Sequence, residues 1–322
     1  MKKSFKNFML TMVCGVAVIF VSCKNPASSN EGNPTDNQGG IVVQPGLINN
    51  SEEICEQIRM ATENRSLELT GEIDASVVLA IKSALSDLSA RDNTIRIELD
   101  MSNANGLKTF PNNAFSFSGS NYQALKSCSL PSGITSMGYM TFNYCKNLEY
   151  IVIPDTVESI DIGTFYVCSS LETVNYPKSI TQIFWPQFSD CPKIKSVTFD
   201  SDNPKYKSID GVVFSQDGKT LYCYPCGKTG NSYTVPESVT CIGPFAFYKC
   251  VDLKTITVPA NLNKCGLFAF SSDSLNTIKF KGTETKWNSI KRIDELEQDV
   301  DDEMEANEFL GVKDSVEVKF NQ

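Results

Sequence analysis

Residues 148–170 read LEYIVIPDTVESIDIGTFYVCSS, and this stretch decides the fold because close copies of it lie on both sides. Ile151 and Ile153 alternate with other residues, so the two isoleucines lie on one face of a short strand. Pro154 then ends the strand, because proline has no N–H to donate to a sheet. The stretch therefore predicts a short strand followed by a change of direction.

Three residue types keep one period of 23 residues through this region. They are the prolines Pro131, Pro154 and Pro177, the phenylalanines Phe142, Phe165 and Phe188, and the cysteines Cys145, Cys168 and Cys191. Phenylalanine and cysteine stand three residues apart in each copy, which is typical of a short helical or 3₁₀ turn. After an interruption the same positions return as Pro236, Phe247, Cys250, Pro259 and Phe270. One unit cannot bury its apolar face alone, so the period predicts stacked copies in a solenoid.

The pattern L-x-x-I-x-I-P-x-x-V-x-x-I-x-x-x-x-F-x-x-C resembles a leucine-rich repeat, and more narrowly the BspA-like leucine-rich repeats of bacterial surface proteins. The resemblance rests on the stretch quoted above, on LETVNYPKSITQIFWPQFSDCPK and on YTVPESVTCIGPFAFYKCVD. The segments DNPKYKSIDGVVFSQDGKTLYCYPCGK and FKGTETKWNSI are also similar to that family, and the likeness covers roughly residues 95–290. It implies a leucine-rich repeat solenoid, with attachment to host matrix proteins or to other cells.

We divide the chain into five regions. They are a lipoprotein signal peptide (1–22), a flexible tether (23–50), an N-terminal helical cap with a first irregular repeat (51–124), the repeat array (125–290, with an insertion at about 200–232), and an acidic loop with a C-terminal cap strand (291–322). A separate N-terminal domain is the alternative for residues 51–124. The insertion contains two apolar runs joined at Asp217-Gly218, which predict a β-hairpin that projects from or caps one edge of the array.

The N-terminus predicts export. Three lysines precede an apolar run, Phe8 to Val21, that is too short to span a membrane comfortably. The sequence Phe20-Val21-Ser22-Cys23 resembles a bacterial lipobox, which implies that Cys23 is acylated and anchors the chain to a membrane. Phe20 is bulkier than the usual leucine, and an ordinary leader cut near Ser22 is the alternative.

Composition excludes several classes of function. The net charge is −9, with 38 acidic and 29 basic residues, whereas surfaces that bind nucleic acid are basic. The chain contains no histidine, which excludes Ser-His-Asp and Cys-His catalysis and removes the commonest zinc ligand. The acidic run near residues 294–308 lacks the glycine-centred loop of an EF-hand. We therefore expect no catalytic residues, no metal, no cofactor and no nucleic-acid partner.

The cysteines follow the repeat and predict packed thiols more than disulfides. Four of the 12 cysteines hold one inward position per repeat, where small apolar thiols pack well. Side chains stacked in parallel on neighbouring rungs point poorly for a disulfide. Cys223-Tyr-Pro-Cys226 is an isolated C-x-x-C, for which a local disulfide or packed thiols are better interpretations than zinc or thioredoxin-like chemistry.

The outward strand positions form the candidate binding surface. In the geometry that the resemblance implies, these positions are Val152, Asn175, Thr198, Thr257 and Lys279. Tyr150 adds an aromatic side chain, and Trp185 is either an exposed anchor or a residue that fills the convex turn. We expect a monomeric, lipid-anchored interaction protein on the cell surface that adheres to host matrix or to other cells. The alternative is a periplasmic or envelope scaffold that binds the cell's own proteins; an enzyme is disfavoured.

Overall fold

Each repeat folds into a long strand, a short strand and a tight turn in the computed structural model. In one repeat, the long strand is Thr173–Tyr176, the short strand is Gln182–Ile183, and Phe188 and Cys191 lie in the turn. The long strands contain the I-x-I pattern, so one face of each strand is apolar and buried and the other face is turned outward. In the repeats that keep the period, the short strands are two or three residues long and follow the proline of each repeat.

The structure describes residues 49–117, 123–184, 186–294 and 306–321, and all of these belong to the compact unit Ile41–Gln322. The predicted signal peptide, Cys23, almost all of the predicted tether, Trp185 and most of the acidic run lie outside the described residues.

The elements of the described residues are numbered in chain order. The helices are α1 (Ser51–Met60), α2 (Ala75–Arg91), α3 (Glu284–Asn288) and α4 (Ala306–Leu310). The first strands are β1 (Arg65–Glu68), β2 (Gly71–Glu72), β3 (Ile97–Asp100), β4 (Ala104–Asn105), β5 (Thr109–Phe110), β6 (Leu125–Ser129), β7 (Ser136–Met137), β8 (Tyr150–Val152), β9 (Ser159–Ile160), β10 (Thr173–Tyr176), β11 (Gln182–Ile183) and β12 (Ser196–Phe199). The later strands are β13 (Tyr206–Ile209), β14 (Val212–Ser215), β15 (Thr220–Cys223), β16 (Ser232–Thr234), β17 (Cys241–Ile242), β18 (Thr255–Val258), β19 (Lys264–Gly266), β20 (Thr277–Phe280), β21 (Lys291–Ile293) and β22 (Glu317–Phe320).

The long strands and the short strands form separate parallel ladders. The long strands pair in the orders β1-β3-β6-β8, β10-β12 and β16-β18-β20-β22. The short strands pair in the orders β5-β7-β9-β11 and β15-β17-β19-β21, and β2 pairs with β4. Thr173 lies opposite Ser196, one full repeat later, so neighbouring repeats stack without a slip in register. Strand β22, in the region where the sequence predicts a C-terminal cap strand, pairs with β20.

Helices α1 and α2 precede the array, in the region where the sequence predicts an N-terminal helical cap. The carboxylate of Asp74 accepts hydrogen bonds from the backbone N–H groups of Ser76 (2.8 Å) and Val77 (3.2 Å), which explains why α2 begins there. Val78 and Ile81 on the apolar face of α2 are fully buried. Met60 is 69% exposed, because it comes two residues after Ile58 and therefore lies away from the buried face that Ile54 and Ile58 share.

A column of aromatic rings fills the core beneath the turns. The rings of Phe142 and Phe165 stack with centroids 5.9 Å apart, and those of Phe165 and Phe188 stack at 5.7 Å. Beyond the insertion, Phe247 stacks on Phe270 at 5.8 Å, and Trp287 continues the column at 6.0 Å. The 23-residue period therefore places one aromatic ring on each rung, as expected for inward positions.

The turns themselves are shorter than a helical segment. The N–H of Cys168 bonds to the carbonyl of Phe165, and the N–H of Leu171 bonds to the carbonyl of Cys168, so each step spans three residues, as in a 3₁₀ turn. Val167, between Phe165 and Cys168, has a φ of 59°, in the left-handed region, so the turn does not continue as a helix.

The insertion packs into the core, so the prediction that its hairpin projects from the array is wrong, although strands β13 and β14 do stand at one end of the sheet β13-β14-β15-β17-β19-β21. The hairpin itself is confirmed, because β14 and β15 are antiparallel, and β13 adds a third strand. Val213 and Leu221 are fully buried, as are most apolar residues of the hairpin. Strand β15 then pairs in parallel with β17, so the hairpin takes the place of a rung in the short-strand ladder.

Candidate interaction surfaces

The outward positions of β8 are the most exposed apolar part of the predicted binding surface. Tyr150 is 45% exposed and Val152 is 50% exposed, whereas Ile151 between them is buried. The alternation follows directly from the strand geometry, which turns successive side chains to opposite faces. On the neighbouring strand β6, Ser127 and Ser129 stand opposite the two residues and leave them uncovered.

The next two predicted residues form a polar pair. Asn175 and Thr198 are register partners on β10 and β12, and the Thr198 hydroxyl donates a 2.5 Å hydrogen bond to Oδ1 of Asn175. Asn175 is exposed and Thr198 is half-buried. The amide nitrogen of Asn175 remains available to a partner, because only its oxygen takes part in this bond.

A third part of the surface lies beyond the insertion. Thr257 of β18 is the register partner of Lys279 of β20, and Lys319 of β22 follows next to Lys279. Thr257 is half-buried and Lys279 is exposed. Lys319 forms an ion pair with Glu317 at 3.1 Å.

The six described residues of the predicted surface therefore lie in three separate sheets. Tyr150 and Val152 belong to the sheet that ends at β8, Asn175 and Thr198 to the β10-β12 pair, and Thr257 and Lys279 to the sheet that begins at β16. The inserted strands separate the last two groups. Trp185, the seventh residue, lies outside the described residues, as does Cys23.

Charged residues on the long strands, or immediately before them, are paired across neighbouring rungs. Lys126 contacts Glu98 at 2.8 Å, and Lys195 contacts Glu172 at 3.0 Å. The hydrogen bond from Lys126 lowers the pKa of Glu98, and a bond from Ser66 lowers it further. These carboxylates are ion-pair partners in a solvated surface and are not placed as general acids or bases.

A second surface, on the turn side, carries tyrosines that the sequence analysis did not single out. The rings of Tyr144 and Tyr166 meet edge to face with centroids 5.9 Å apart. Burial raises the pKa of Tyr166 above its ordinary value, and the neighbouring carboxylate of Asp190 raises it further. Burial and the charge of Asp161 act in the same direction on the pKa of Tyr139. These tyrosines do not share one position of the repeat, so no periodic signal marks them.

The turns of successive repeats stack on one another and form what we call the turn column. The insertion interrupts this column, and a cleft lies at the interruption. Elsewhere turns bond directly to the next turn, as in the bond from the N–H of Val167 to the carbonyl of Ser189 (2.9 Å). Across the interruption, an ion pair of 2.6 Å between Asp190 and Lys249 joins the two sides. The insertion cleft is lined by Pro186, Gln187, Tyr222, Tyr224, Phe245 and Tyr248, among others.

Most of the described cysteine thiols are packed in the core, where burial does not activate them as nucleophiles. None of the ten described cysteines, Cys223 and Cys226 included, forms a disulfide, and all but one are buried. The thiol of Cys168 donates to the carbonyl of Phe142 at 3.2 Å, and that of Cys191 donates to the carbonyl of Phe165 at 2.9 Å. Burial raises the pKa of Cys168 and of Cys191, so neither thiol is activated as a nucleophile.

Among the described residues, no three or more Cys, Asp or Glu side chains come together in an arrangement suited to a metal ion. None of the helices in the described ranges has the length and apolar character needed to cross a membrane.

The fold and its repeat define the class of protein as a leucine-rich repeat solenoid. The family model described as "BspA type Leucine rich repeat region" matches residues 97–221 and 218–293 in six copies. Because the match covers more than half of the chain, the protein belongs to this family. Leucine-rich repeat families are generally protein-interaction modules that are not enzymes. No curated protein matches the sequence of this chain.

Several solved structures are similar. A leucine-rich repeat protein from Eubacterium ventriosum is 18% identical, with a TM-score of 0.52 over 71% of this chain and 63% of the other, and this likeness concerns the fold alone. The pneumococcal vaccine antigen PcpA is 25% identical, with a TM-score of 0.48 over 57% of this chain and 52% of that antigen. A leucine-rich cell surface protein from Faecalibacterium prausnitzii is 17% identical, with a TM-score of 0.48, over 81% of this chain and 79% of the other. The chain thus spans less than two thirds of the first two proteins.

Proposed function

We propose that this protein is a lipid-anchored interaction module on the cell surface, which adheres to host matrix or to other cells through the outer face of its long strands. The observation that carries the proposal is the exposure of Tyr150 and Val152, at 45% and 50%, on a regular sheet face. Exposed aromatic side chains are enriched at protein interfaces. The polar pair of Asn175 and Thr198 lies on the following strands and supplies directional contacts.

Export and anchoring are supported by the sequence alone. The leader ends at Cys23 in a lipobox-like sequence, and a tether rich in Asn, Gly, Ser and Pro follows it. Lipid on Cys23 would hold the solenoid at a membrane, and the tether would separate the two. The acidic balance of the chain, with a net charge of −9, favours partners with basic surfaces.

The first experiment is protease shaving of intact cells, followed by blotting for this protein and for an internal control protein. Loss of this protein while the control survives supports surface exposure. Persistence until the cells are broken refutes surface adhesion and favours an envelope scaffold facing the cell's own proteins. Labelling with radioactive palmitate, compared between the native chain and Cys23→Ser, tests the anchor separately.

The binding face is tested by paired variants of the exported protein. Tyr150→Ala together with Val152→Ser should abolish most binding to a matrix-coated surface, since both side chains are exposed and their loss leaves the core intact. The matched control is Met60→Ala, which removes an exposed apolar side chain at the end of α1, outside the array. Equal binding by both variants would contradict the assignment of the long-strand face.

A further inference from the structure

The last long strand, β22, has a neighbouring strand on one side only. Strand β20 pairs with it in parallel, and no other strand among the described residues joins the sheet β16-β18-β20-β22 beyond it. The N–H of Glu317 bonds to the carbonyl of Asn276 (2.9 Å), on the side of β20. Because hydrogen-bonding groups alternate along a strand of a parallel ladder, the N–H and C=O of Val318 are turned away from β20. We call this other side of the strand the open edge of β22.

The first long strand, at the opposite end of the array, is protected at its outer edge. The side chain of Asn50 donates to the carbonyl of Glu68 at the end of β1 (3.0 Å) and accepts from the N–H of Thr70 (2.9 Å). The cap thus satisfies backbone groups that would otherwise be available to another chain. Among the described residues, no group outside the sheet bonds to the backbone of Val318 in this way.

The inward side of β22 is also less covered than that of the strands before it. Ile256 of β18, Ile278 of β20 and Val318 of β22 follow one another in register. The two isoleucines are fully buried, whereas Val318 packs against the core but is only half-buried. A further strand at the open edge would extend the sheet and cover this side chain.

Two opposite charges flank Val318 on the outward face of the strand. Glu317 and Lys319 form an ion pair at 3.1 Å, and both side chains are partly exposed. Lys319 is also the register partner of Lys279 on β20, so two lysines are adjacent on this face. A second carboxylate at the open edge would offset the repulsion between them.

A second copy of the same strand supplies that carboxylate. When two copies of β22 pair in antiparallel orientation about a two-fold axis through Val318, Glu317 of each copy lies opposite Lys319 of the partner subunit. Directly opposed side chains of an antiparallel pair have Cβ atoms about 4.5–5.5 Å apart, which is close enough for both ion pairs. The backbone of Val318 then exchanges two hydrogen bonds with Val318 of the partner subunit. A register shifted by two residues would place two lysines or two glutamates opposite each other, so it is disfavoured.

We propose that the open edge of β22 is a dimerisation site, at which two copies of this chain join by antiparallel pairing of their last long strands. The observation that carries the proposal is an open strand edge whose flanking charges, Glu317 and Lys319, complement their own two-fold image. The dimer departs from the monomer expected from the sequence. It does not depend on the proposed function of the long-strand face.

The test is sedimentation equilibrium of the purified full chain carrying Cys23→Ser, in a mild detergent, so that neither lipid nor the apolar leader contributes to association. A strand edge of four residues is a small interface, so we expect a reversible dimer with a dissociation constant on the order of 100 µM. A monomer that persists at about ten times that concentration would overturn the proposal.

Charge reversal locates the contact. Glu317→Lys and Lys319→Glu each place like charges opposite each other, so either variant alone should dimerise at least about tenfold more weakly than the native strand. An equimolar mixture of the two restores opposite charges at both positions and should associate with about the native dissociation constant, which also shows that both variants are folded. The control Lys195→Glu breaks an exposed ion pair with Glu172 beside the β10-β12 pair and should leave the dimer unchanged. Undiminished dimerisation of either single variant, or a mixture that fails to associate, would refute the pairing.

Discussion

Replacing Phe165 by alanine tests the aromatic column directly. The side chain is fully buried, and its ring stacks between those of Phe142 at 5.9 Å and Phe188 at 5.7 Å. The change removes a large apolar side chain and leaves a cavity in the middle of the array. Neither neighbour can move in to fill it, because the paired strands hold successive rungs about 4.8 Å apart.

The expected loss is about 4–5 kcal/mol in the free energy of unfolding. Phe→Ala substitutions in cores cost roughly 3–5 kcal/mol, and the cost is highest where the surroundings cannot collapse. The loss of two stacked contacts, each worth about 0.5–1.5 kcal/mol beyond its area, places this site at the upper end. With a urea m-value of about 3 kcal/mol/M, the midpoint of unfolding should fall by about 1.5 M.

The assay is urea denaturation followed by circular dichroism, and the matched control is Tyr150→Ala. Tyr150 is 45% exposed, so its removal should cost less than about 1 kcal/mol. A loss below about 1 kcal/mol for Phe165→Ala, or one equal to that of the control, would refute the inward assignment of the whole phenylalanine position. An unchanged m-value would indicate that the array still unfolds as one unit.

Three further predictions concern the cap, the ion pair and the thiols. Asp74→Ala should lower the free energy of unfolding by about 1 kcal/mol at pH 7. The hydrogen bond from Ser76 lowers the pKa of Asp74 in the folded chain. The stabilisation is therefore present above the unfolded-state pKa of Asp74 and is lost as the pH falls through its folded-state pKa. Thermal melts at pH 7 and pH 3 should therefore show the difference from the native chain shrinking in acid. Lys249→Ala breaks the partly exposed pair with Asp190 and should cost less than about 1 kcal/mol, with the cost falling as salt is added. The buried thiol of Cys168 should react with an aromatic disulfide reagent only in urea, and rapid reaction of the folded protein would contradict its packing.

The sequence predicts the long-strand ladder well and misses the short-strand ladder. The I-x-I pattern identifies the strand Tyr150–Val152 with its inward Ile151, because one side of the strand must be apolar. The strand Ser159–Ile160 has only two residues, so it contains a single inward side chain and no alternation to detect. Its existence depends on backbone pairing with the neighbouring repeats, and that pairing becomes apparent only when the repeats are stacked.

The place of the insertion in the fold could not be predicted from the repeat period. Composition and turn residues predict the hairpin, but its place depends on two register pairs, Thr220 with Cys241 and Leu221 with Ile242, that no local pattern specifies. Because β15 takes a place in the short-strand ladder, the chain forms no complete turn at that rung. The insertion cleft lies where this turn is missing. The residues that keep the period are those of the core, so the sequence predicts the core. The insertion cleft results from a break in the period, and only the folded chain brings Gln187 of the third repeat next to Tyr222 and Tyr248.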